Sequence, residues 1–538
     1  MLRAITEWMN GDYAGKTMLV LRMLFFLLFI VTSFAVCLGG GTRKKGADNR
    51  FAILPALPAL GLAAILAYQA TWQLFGTRNI EMVRFIRRHN SRASVDVRRG
   101  SILDRNGAVL AVDDPAVKTP GHRRYPLGYA AAHTVGYYDP RYGITGIEKA
   151  ADFELTGVDA TVAEDLGRLS RSLIDSRPVE GHDVKLTLDA RLQRKCHDLL
   201  QEQGRRGAIV ALNPANGEIL ALVSVPSFDP LVPGGYYGDA EAAPFLNRAI
   251  QGRYPAGSTF KVAMAALAAD LRLAPRLDCP AAGFRAARDA QPIRDVEYYS
   301  YKRQGKVWSG FGKIGLKQAL VHSSNVYFAQ LAHQIPADAF NQFVARCGIT
   351  EPQTLFAAEG GDVRMLPGLV PAVTDADKKM RSQLAIGQGR MAVSPLHVAM
   401  WTAVVANRGL AAPPHLDLAR GQDGLKPRRV ISAAAADTVQ AMMRAVIREG
   451  TGRKAEVPGA GVCGKTGTAQ APGGEDHSWF TCFTTETSPR LVVTVLVERG
   501  GFGSRAALPV ARSVIEEALR MGVVRLRGSA APASGGGK

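Results

Sequence analysis

The sequence contains no pair of cysteines at the spacing of a zinc site. Its six cysteines, Cys37, Cys196, Cys279, Cys347, Cys463 and Cys482, are scattered through 538 residues, whereas a structural zinc site takes paired ligands a few residues apart. The same scatter excludes a disulfide framework and leaves open only an isolated bridge in an exported domain. Acidic residues are in short supply: 47 Asp and Glu stand against 66 Lys and Arg, a formal charge of +19. Such a balance suits nucleic acid or an anionic envelope surface, and charge alone does not choose between them. No basic stretch is interleaved with aromatics in the manner of an RNA-binding module, which argues against nucleic acid. With 47% hydrophobic and 21% charged residues, the bulk of the chain is globular rather than disordered. Its length allows a large core and more than one domain.

Two long apolar runs set the expected compartment. Met18 to Gly40 carries no charge except Arg22, and Phe51 to Phe75 is a second run. Each is long enough to cross a hydrocarbon core of ~30 Å. The first is too long, and too poorly flanked, for the apolar region of a cleaved signal peptide. Between them lies GTRKKGADNR, with Arg43, Lys44, Lys45 and Arg50 against Asp48. A short basic loop of this kind belongs in the cytoplasm. Two spans then leave the N-terminus and everything after Phe75 outside, with Tyr68 and Trp72 near the outer interface.

Residues 77 to about 96 read as a helical stalk, with Glu81, Arg84 and Arg88 on a solvated face. Arg98 to Val112 reads as strand, Asn106-Gly107 turn, strand. Val184 to Leu188 reads as a strand, followed by an Asp189 N-cap and an amphipathic helix. GAIVALNPANGEILALVSV gives two strands around a Pro214 to Gly217 turn. RLVVTVLVERG, from Arg490 to Gly500, has the near-continuous β-branched run of a buried central strand. VARSVIEEALRM closes with a helix, and the tail is low-complexity.

Three short motifs remain. In YPAGSTFKVAMAALAAD, Ser258 and Lys261 lie at i and i+3 on one face of a helix that is apolar nearly all round. A lysine there is costly unless it is paired or sheds its proton, and a lysine without its proton beside a serine can act as that serine's base. The plain alternative makes Ser258 an N-cap and lets Lys261 reach outward. HSSNVYFAQLA adds Ser323 and Asn325 at the start of another apolar-periodic segment, where helix capping is the rival reading. VCGKTGTAQ adds Lys465, Thr466, Gly467 and Thr468. The stretch GAGVCGKT also matches the phosphate-binding pattern G-x-x-x-x-G-K-[ST]. A P-loop, however, follows a buried strand and opens a helix. Here GRKAEVP precedes, and the Gly- and Pro-rich GTAQAPGGED cannot start a helix.

Taken together and in this order, S-x-x-K, S-x-N and K-T-G resemble the site of the penicillin-binding proteins and serine β-lactamases. RRGSILDRNGAVLA and YGITGIEKAADFELTG are similar to segments of the N-terminal module of class B penicillin-binding proteins. LNPANGEILALVSVPSFDP, NRAIQGRYPAGSTFK, AIGQGRMAVSPLHVA and REGTGRKA resemble stretches of their transpeptidase domain. The likeness runs from about Arg98 to about Met521. It is to class B, because no glycosyltransferase domain fits between Phe75 and Asp183. Family members usually have one membrane span, whereas two are read here, and the N-terminal module looks short.

The resemblance implies a membrane-anchored α+β protein. Residues 1–76 would hold two transmembrane helices and a short cytoplasmic loop, and 77–180 the stalk and a small, dimerisation-like pedestal module. Residues 181–525 would form the penicillin-binding transpeptidase domain, an antiparallel sheet flanked by helices plus an all-helical subdomain, and 526–538 a disordered tail. The implied activity is peptidoglycan D,D-transpeptidation through a serine acyl-enzyme. A D,D-carboxypeptidase or a β-lactam sensor or scaffold is the alternative on the same site. Ser258 would attack the carbonyl between two D-alanines, with Lys261 as base, neutral through burial and nearby positive charge. Ser323 would relay a proton to the leaving amine, and Asn325 would hold Lys261 and the donor amide. Lys465, Thr466 and Thr468 would attract the terminal carboxylate. Gly464 and Gly467 would leave room for a docked peptide backbone, and the N–H groups of Ser258 and Thr468 would form the oxyanion hole. No metal or organic cofactor is implied. The implied partners are stem peptides and their lipid-linked precursor, β-lactams, the membrane and a polytopic glycan polymerase, with no nucleic acid. The catalytic domain would lie outside the bacterial cytoplasmic membrane.

Overall fold

Apolar side chains run almost unbroken through Gly207–Leu212 (β1), Ile219–Val225 (β2) and Val492–Val497 (β5), and all three strands are buried along their whole length. With Val462–Ala469 (β3) and His477–Thr484 (β4) they form one antiparallel sheet in the order β2-β1-β5-β4-β3. The run at Val492–Val497 is its central strand, as its composition predicts, because only a strand covered on both faces needs apolar side chains at every position. The computed structural model describes Gly61 and residues 97–114, 122–157, 179–419, 425–471 and 473–528. Apart from Gly61, the predicted spans, the stalk and residues 529–538 of the tail lie outside the described residues. Among the described residues no helix is long and apolar enough to cross a membrane.

Helices cover both faces of the sheet. On one, Ile209, Phe480, Val493 and Val495 cluster with Leu192 and Cys196 of α1 (Ala190–Gln201) and with Leu508, Val514 and Ile515 of the C-terminal helix Ala507–Arg520. On the other, Ala208, Val210, Trp479 and Leu496 belong to a larger core. That core includes Phe260 of α2 (Phe260–Asp270), Trp401 of Pro395–Ala406 and Met443 of Ala433–Glu449. Each such side chain contributes about 1.5–3 kcal/mol when fully buried. The sheet is thus the middle of three layers. α2 lies deep in the thicker helical layer, with every residue from Phe260 to Ala268 buried. That burial excludes an outward-reaching Lys261.

The segment expected to be all helical is not. Helices α4 (Leu316–His322) and α5 (Asn325–Leu331) alternate with two antiparallel strand pairs, Leu277–Pro280 with Gly310–Ile314 and Gln353–Ala358 with Gly361–Met365. The second pair closes at Gly361, whose φ of +134° suits glycine alone. The rival P-loop reading fails on the same ground that disfavours it in sequence: Lys465 to Thr468 lie inside β3 and open no helix. The five described cysteines are free and buried.

The hairpin at Asn106-Gly107 forms as predicted. Ile102–Leu103 pairs with Val109–Asp113, Gly107 takes φ +86°, and Asp104 Oδ1 accepts from the N–H groups of Asn106 and Ala108, each at 2.7 Å. The predicted strand from Val184 is short. Val184–Lys185 runs parallel to Ile102–Leu103 as part of the N-terminal sheet, and Leu186 only bridges to Asp417. Asp189 caps α1 as read, accepting from the N–H groups of Arg191 and Leu192. In the GIEKA turn, Glu148 is fully buried and accepts from Arg99 Nη2 at 3.0 Å and Arg123 Nε at 2.8 Å. A carboxylate so placed is tolerable only because both guanidinium groups reach it. The described residues from 97 onward fall in one compact unit, 96–158 with 176–538.

Candidate active site

The turn that carries Ser258 is pinned from three sides before α2 begins. Tyr254 exchanges backbone hydrogen bonds with Val393 at 2.9 and 2.8 Å, and Trp479 Nε1 of β4 donates to Pro255 O at 3.1 Å. Gly257 N donates to Gly387 O at 2.8 Å. A 3₁₀ turn, Gly257–Thr259, then runs straight into α2. Gly257 has φ +54°, and a Cβ there would lie 2.4 Å from the Thr468 carbonyl oxygen. Only glycine allows the serine turn to press this closely on β3, the edge strand of the sheet. Ser258 is half-exposed and lies inside the 3₁₀ turn, with Ala256 at the N-cap of that turn and Thr259 at the N-cap of α2, so the N-cap reading does not hold.

Lys261, one turn further on, is fully buried. Its Nζ donates to Ser323 O at 2.6 Å and to Asn325 Oδ1 at 2.7 Å, and lies 3.4 Å from Ser323 Oγ. Ser323 sits between α4 and α5 with φ +59°, a left-handed conformation uncommon for a residue with a side chain. Lys465, also fully buried, donates from β3 to Ser323 Oγ at 2.8 Å and to Thr466 O at 2.9 Å. One serine hydroxyl therefore stands between two lysines from different layers. Helix capping at α5 falls to Ser324, which accepts from Tyr327 N at 3.1 Å, and this leaves Ser323 and Asn325 free for the lysines.

Burial pulls the Lys261 ammonium down to about 7, against the opposing pull of Asp295 and Glu297. Burial, and then the charge of Lys261, holds Lys465 well below the ordinary lysine range. The expected cause is thus divided differently. For Lys261 the neighbouring charges are acidic and restore proton affinity, whereas the positive neighbour acts on Lys465. Two buried ammonium groups on one hydroxyl repel each other, which disfavours both being charged together. A carboxylate arriving beside Lys465 would favour its charged form.

The remaining K-T-G residues divide. Thr466 Oγ1 shares a hydrogen bond of 2.7 Å with Thr451 Oγ1, and Thr468 Oγ1, half-exposed on β3, accepts from Gly503 N at 3.4 Å. Gly467 and Gly464 are small for a packing reason that the sequence did not show. A Cβ on Gly467 would fall 2.7 Å from Thr259 Cγ2, and one on Gly464 would fall 2.8 Å from the Phe480 ring. Neither position has room for a side chain. Sequence reasoning missed Arg294, Asp295, Glu297, Thr451 and Gly503. For Thr451 the stretch REGTGRKA was a weak pointer. The others had none.

A family profile described as "Penicillin binding protein transpeptidase domain" matches residues 207–516, more than half of the chain, and one described as "Penicillin binding protein A dimerisation domain" matches 99–184. The chain belongs to the class B penicillin-binding proteins. The peptidoglycan D,D-transpeptidase PbpA of Mycobacterium tuberculosis is 31% identical over 468 residues, covering 78% of this chain and 89% of that one. The peptidoglycan D,D-transpeptidase MrdA of Acinetobacter baumannii is 31% identical over 462 residues, covering 73% and 65%. Among solved structures, a penicillin G acyl-enzyme complex of penicillin-binding protein A from M. tuberculosis superposes with a TM-score of 0.65. It is 28% identical and covers 79% of this chain and 100% of that one. PBP2 of Pseudomonas aeruginosa, in complex with WCK 5153, superposes at 0.64, is 30% identical, and covers 81% and 99%. In this class B protein the family's three elements converge on the Ser323 hydroxyl and the strand edge beside Gly257.

Proposed function

We propose that Ser258, Lys261, Ser323, Asn325 and Lys465 are the catalytic residues of this peptidoglycan D,D-transpeptidase, which cross-links stem peptides through a serine acyl-enzyme and takes up penicillin covalently at the same serine. The observation that carries the assignment is the fully buried Lys261, bonded to Asn325 and Ser323 and in no ion pair among the described residues. A lysine near about 7 is part-neutral at working pH and can accept the Ser258 proton. Ser258 Oγ then attacks the carbonyl between two D-alanines. The N–H groups of Ser258 and Thr468 receive the developing oxyanion, where fixed donors cost no reorganisation. As the intermediate collapses, the C–N bond breaks and the proton passes through Ser323 to the departing amine. The bond from Lys465 Nζ to Ser323 Oγ supports that relay. Lys465 and Thr468 receive the terminal carboxylate, and Thr466 acts with Thr451. An amine of a second stem peptide attacks the ester and gives up its proton, and Ser258 regains one.

The decisive measurement supplies purified protein with a stem-pentapeptide donor and an amine acceptor. The expected products are free D-alanine and a cross-linked peptide in comparable amounts. D-alanine with only the shortened donor would make the protein a D,D-carboxypeptidase, and neither product would make it a sensor or scaffold.

The domain reading belongs to the same proposal: an anchor over 1–76, a stalk and pedestal over 77–180, the catalytic domain over 181–525 and a tail over 526–538, with the catalytic domain outside the cytoplasmic membrane. A polytopic glycan polymerase, reached through anchor and pedestal, is the proposed partner for lipid-linked precursor. The two apolar runs and the basic loop between them support the topology. A reporter that is active only outside the cytoplasm should be active when fused after Gly76 and silent when fused at Ala47. The reverse pattern overturns the topology.

A further inference from the structure

The turn that holds Ser323 and Asn325 is gripped by a segment without any motif. α5 begins at Asn325, and its first N–H groups need acceptors from outside the helix. Ser324 satisfies only that of Tyr327. Asp295, thirty residues upstream of Asn325, serves the others. Its Oδ1 accepts from Val326 N at 3.0 Å and from Asn325 N, while its Oδ2 accepts from Ser324 Oγ at 3.0 Å. The adjoining carbonyl, Arg294 O, accepts from Asn325 Nδ2 at 2.9 Å. That bond orients the amide, with its nitrogen toward Arg294 and its oxygen toward Lys261 Nζ.

Asp295 is 1% exposed. It immediately precedes the helix Val296–Arg303 (α3) yet makes no cap bond there, spending its carboxylate on α5 instead. Burial pushes the Asp295 carboxyl above the ordinary carboxylate range, and the three donors and the charge of Lys261 oppose that rise and favour its ionised form. Its negative charge also stands at the positive end of α5.

We propose that Asp295 is a positioning residue for acylation: it holds Ser323 and Asn325 in the shape that presents Lys261 to Ser258, and its charge favours the charged form of Lys261. The charged groups facing Lys261 are few. Asp295 and Glu297 come from the start of α3, and Lys465 comes from β3. Ser323 and Asn325 are neutral. Burial disfavours the Lys261 ammonium, and Asp295 is the foremost charge opposing that effect. Without Asp295, Lys261 would give up its proton more readily.

Two substitutions separate shape from charge. In Asp295→Asn the amide oxygen can still accept both helix N–H groups, and its NH₂ can donate to Ser324 Oγ, so the shape is kept and the charge is lost. Asp295→Ala loses both. The measurement is the second-order rate of acylation by a fluorescent penicillin across about pH 5–9, on the purified full chain, alongside its melting transition. Acylation requires Lys261 without its proton, so the rate rises with pH through a limb set by that group, near about 7 in the unaltered protein. Removal of a negative charge makes the ammonium easier to deprotonate, so the limb should move to lower pH in Asp295→Asn with little loss of plateau. In Asp295→Ala the plateau should also fall about 10²-fold, as expected when reacting groups are displaced by an ångström or so. A limb that stays in place in Asp295→Asn, or a plateau unchanged in Asp295→Ala, overturns the proposal. Should Asp295→Ala fail to fold, Asp295→Asn alone decides. The inference rests on Lys261 as the base, and Lys261→Ala serves as the control. A limb surviving in Lys261→Ala refutes the base assignment. A limb absent there but unmoved in Asp295→Asn tells against Asp295 alone.

Discussion

Ser258→Ala protein, mixed with a fluorescent penicillin and then denatured, should carry no label, while the unaltered protein keeps a stable adduct through the same treatment. The expected effect is complete because neither neighbouring hydroxyl, Ser323 nor Thr259, is placed to take over. Ser323 is held between two lysines at 3.4 and 2.8 Å, and Thr259 is buried with its hydroxyl donated to Ala256 O at 2.7 Å. The substitution should leave the fold intact. Even a capping serine at a helix start contributes only ~1 kcal/mol, and Ser258 does not occupy a cap position. The turn is held by backbone contacts and by Trp479, none of which involves the Ser258 side chain. Equal melting temperatures for the two proteins, together with loss of label, would tie the chemistry to this oxygen. Label persisting on Ser258→Ala would remove it as the nucleophile.

Lys261→Ala and Lys465→Ala should both slow acylation, but with different dependence on the substrate. A general base acts on every substrate, so Lys261→Ala should lose about 10²–10⁴-fold in second-order acylation, with or without a carboxylate on the substrate. Lys465→Ala removes a charge-assisted contact worth roughly 1.5–3 kcal/mol, or about tenfold to a hundredfold, which is realised only when a carboxylate is present. A substrate mimic lacking the terminal carboxylate should therefore be poor already with the unaltered protein and lose less on Lys465→Ala than its parent does. Part of the loss should still be common to both substrates, because Lys465 also donates to Ser323 Oγ. The ratio of the two losses is the informative quantity. Equal losses for parent and mimic would mean that Lys465 works through Ser323 alone and that the carboxylate is held elsewhere. Arginine at 465 would test the same point with charge kept, although its planar fork does not fit a site shaped for an ammonium.

The two lysines also illustrate what local sequence can reveal. Ser258 and Lys261 are one turn apart on a helix, Ser323 and Asn325 flank a helix start, and Lys465 to Thr468 are successive residues of a strand. Spacings this short are dictated by helix and strand geometry, so they are legible without coordinates. The same holds for the central strand at Val492–Val497, for the Asn106-Gly107 hairpin and for the Asp189 cap, each of which depends on neighbours within a few residues. Burial of Lys261 follows from the apolar periodicity around it, and with burial comes the loss of proton affinity.

Distances between segments were beyond that reach. Lys261 and Asn325 are separated by 64 residues, Lys465 and Ser323 by 142, and nothing in either stretch encodes their meeting. Three layers packing on one sheet bring them together. The same closure decided which acids face the lysines, placed Asp295 at a helix other than its own, and gave Thr466 its Thr451 partner. It also packed Gly464 against Phe480 and Gly467 against Thr259. Sequence alone determined which residues are chemically competent, because competence is a property of side chains and their near neighbours. Tertiary structure alone decided which groups hold those residues, orient them and set their charge. Electrostatic and hydrogen-bond energies depend on separation in space, and folding makes that separation independent of separation along the chain.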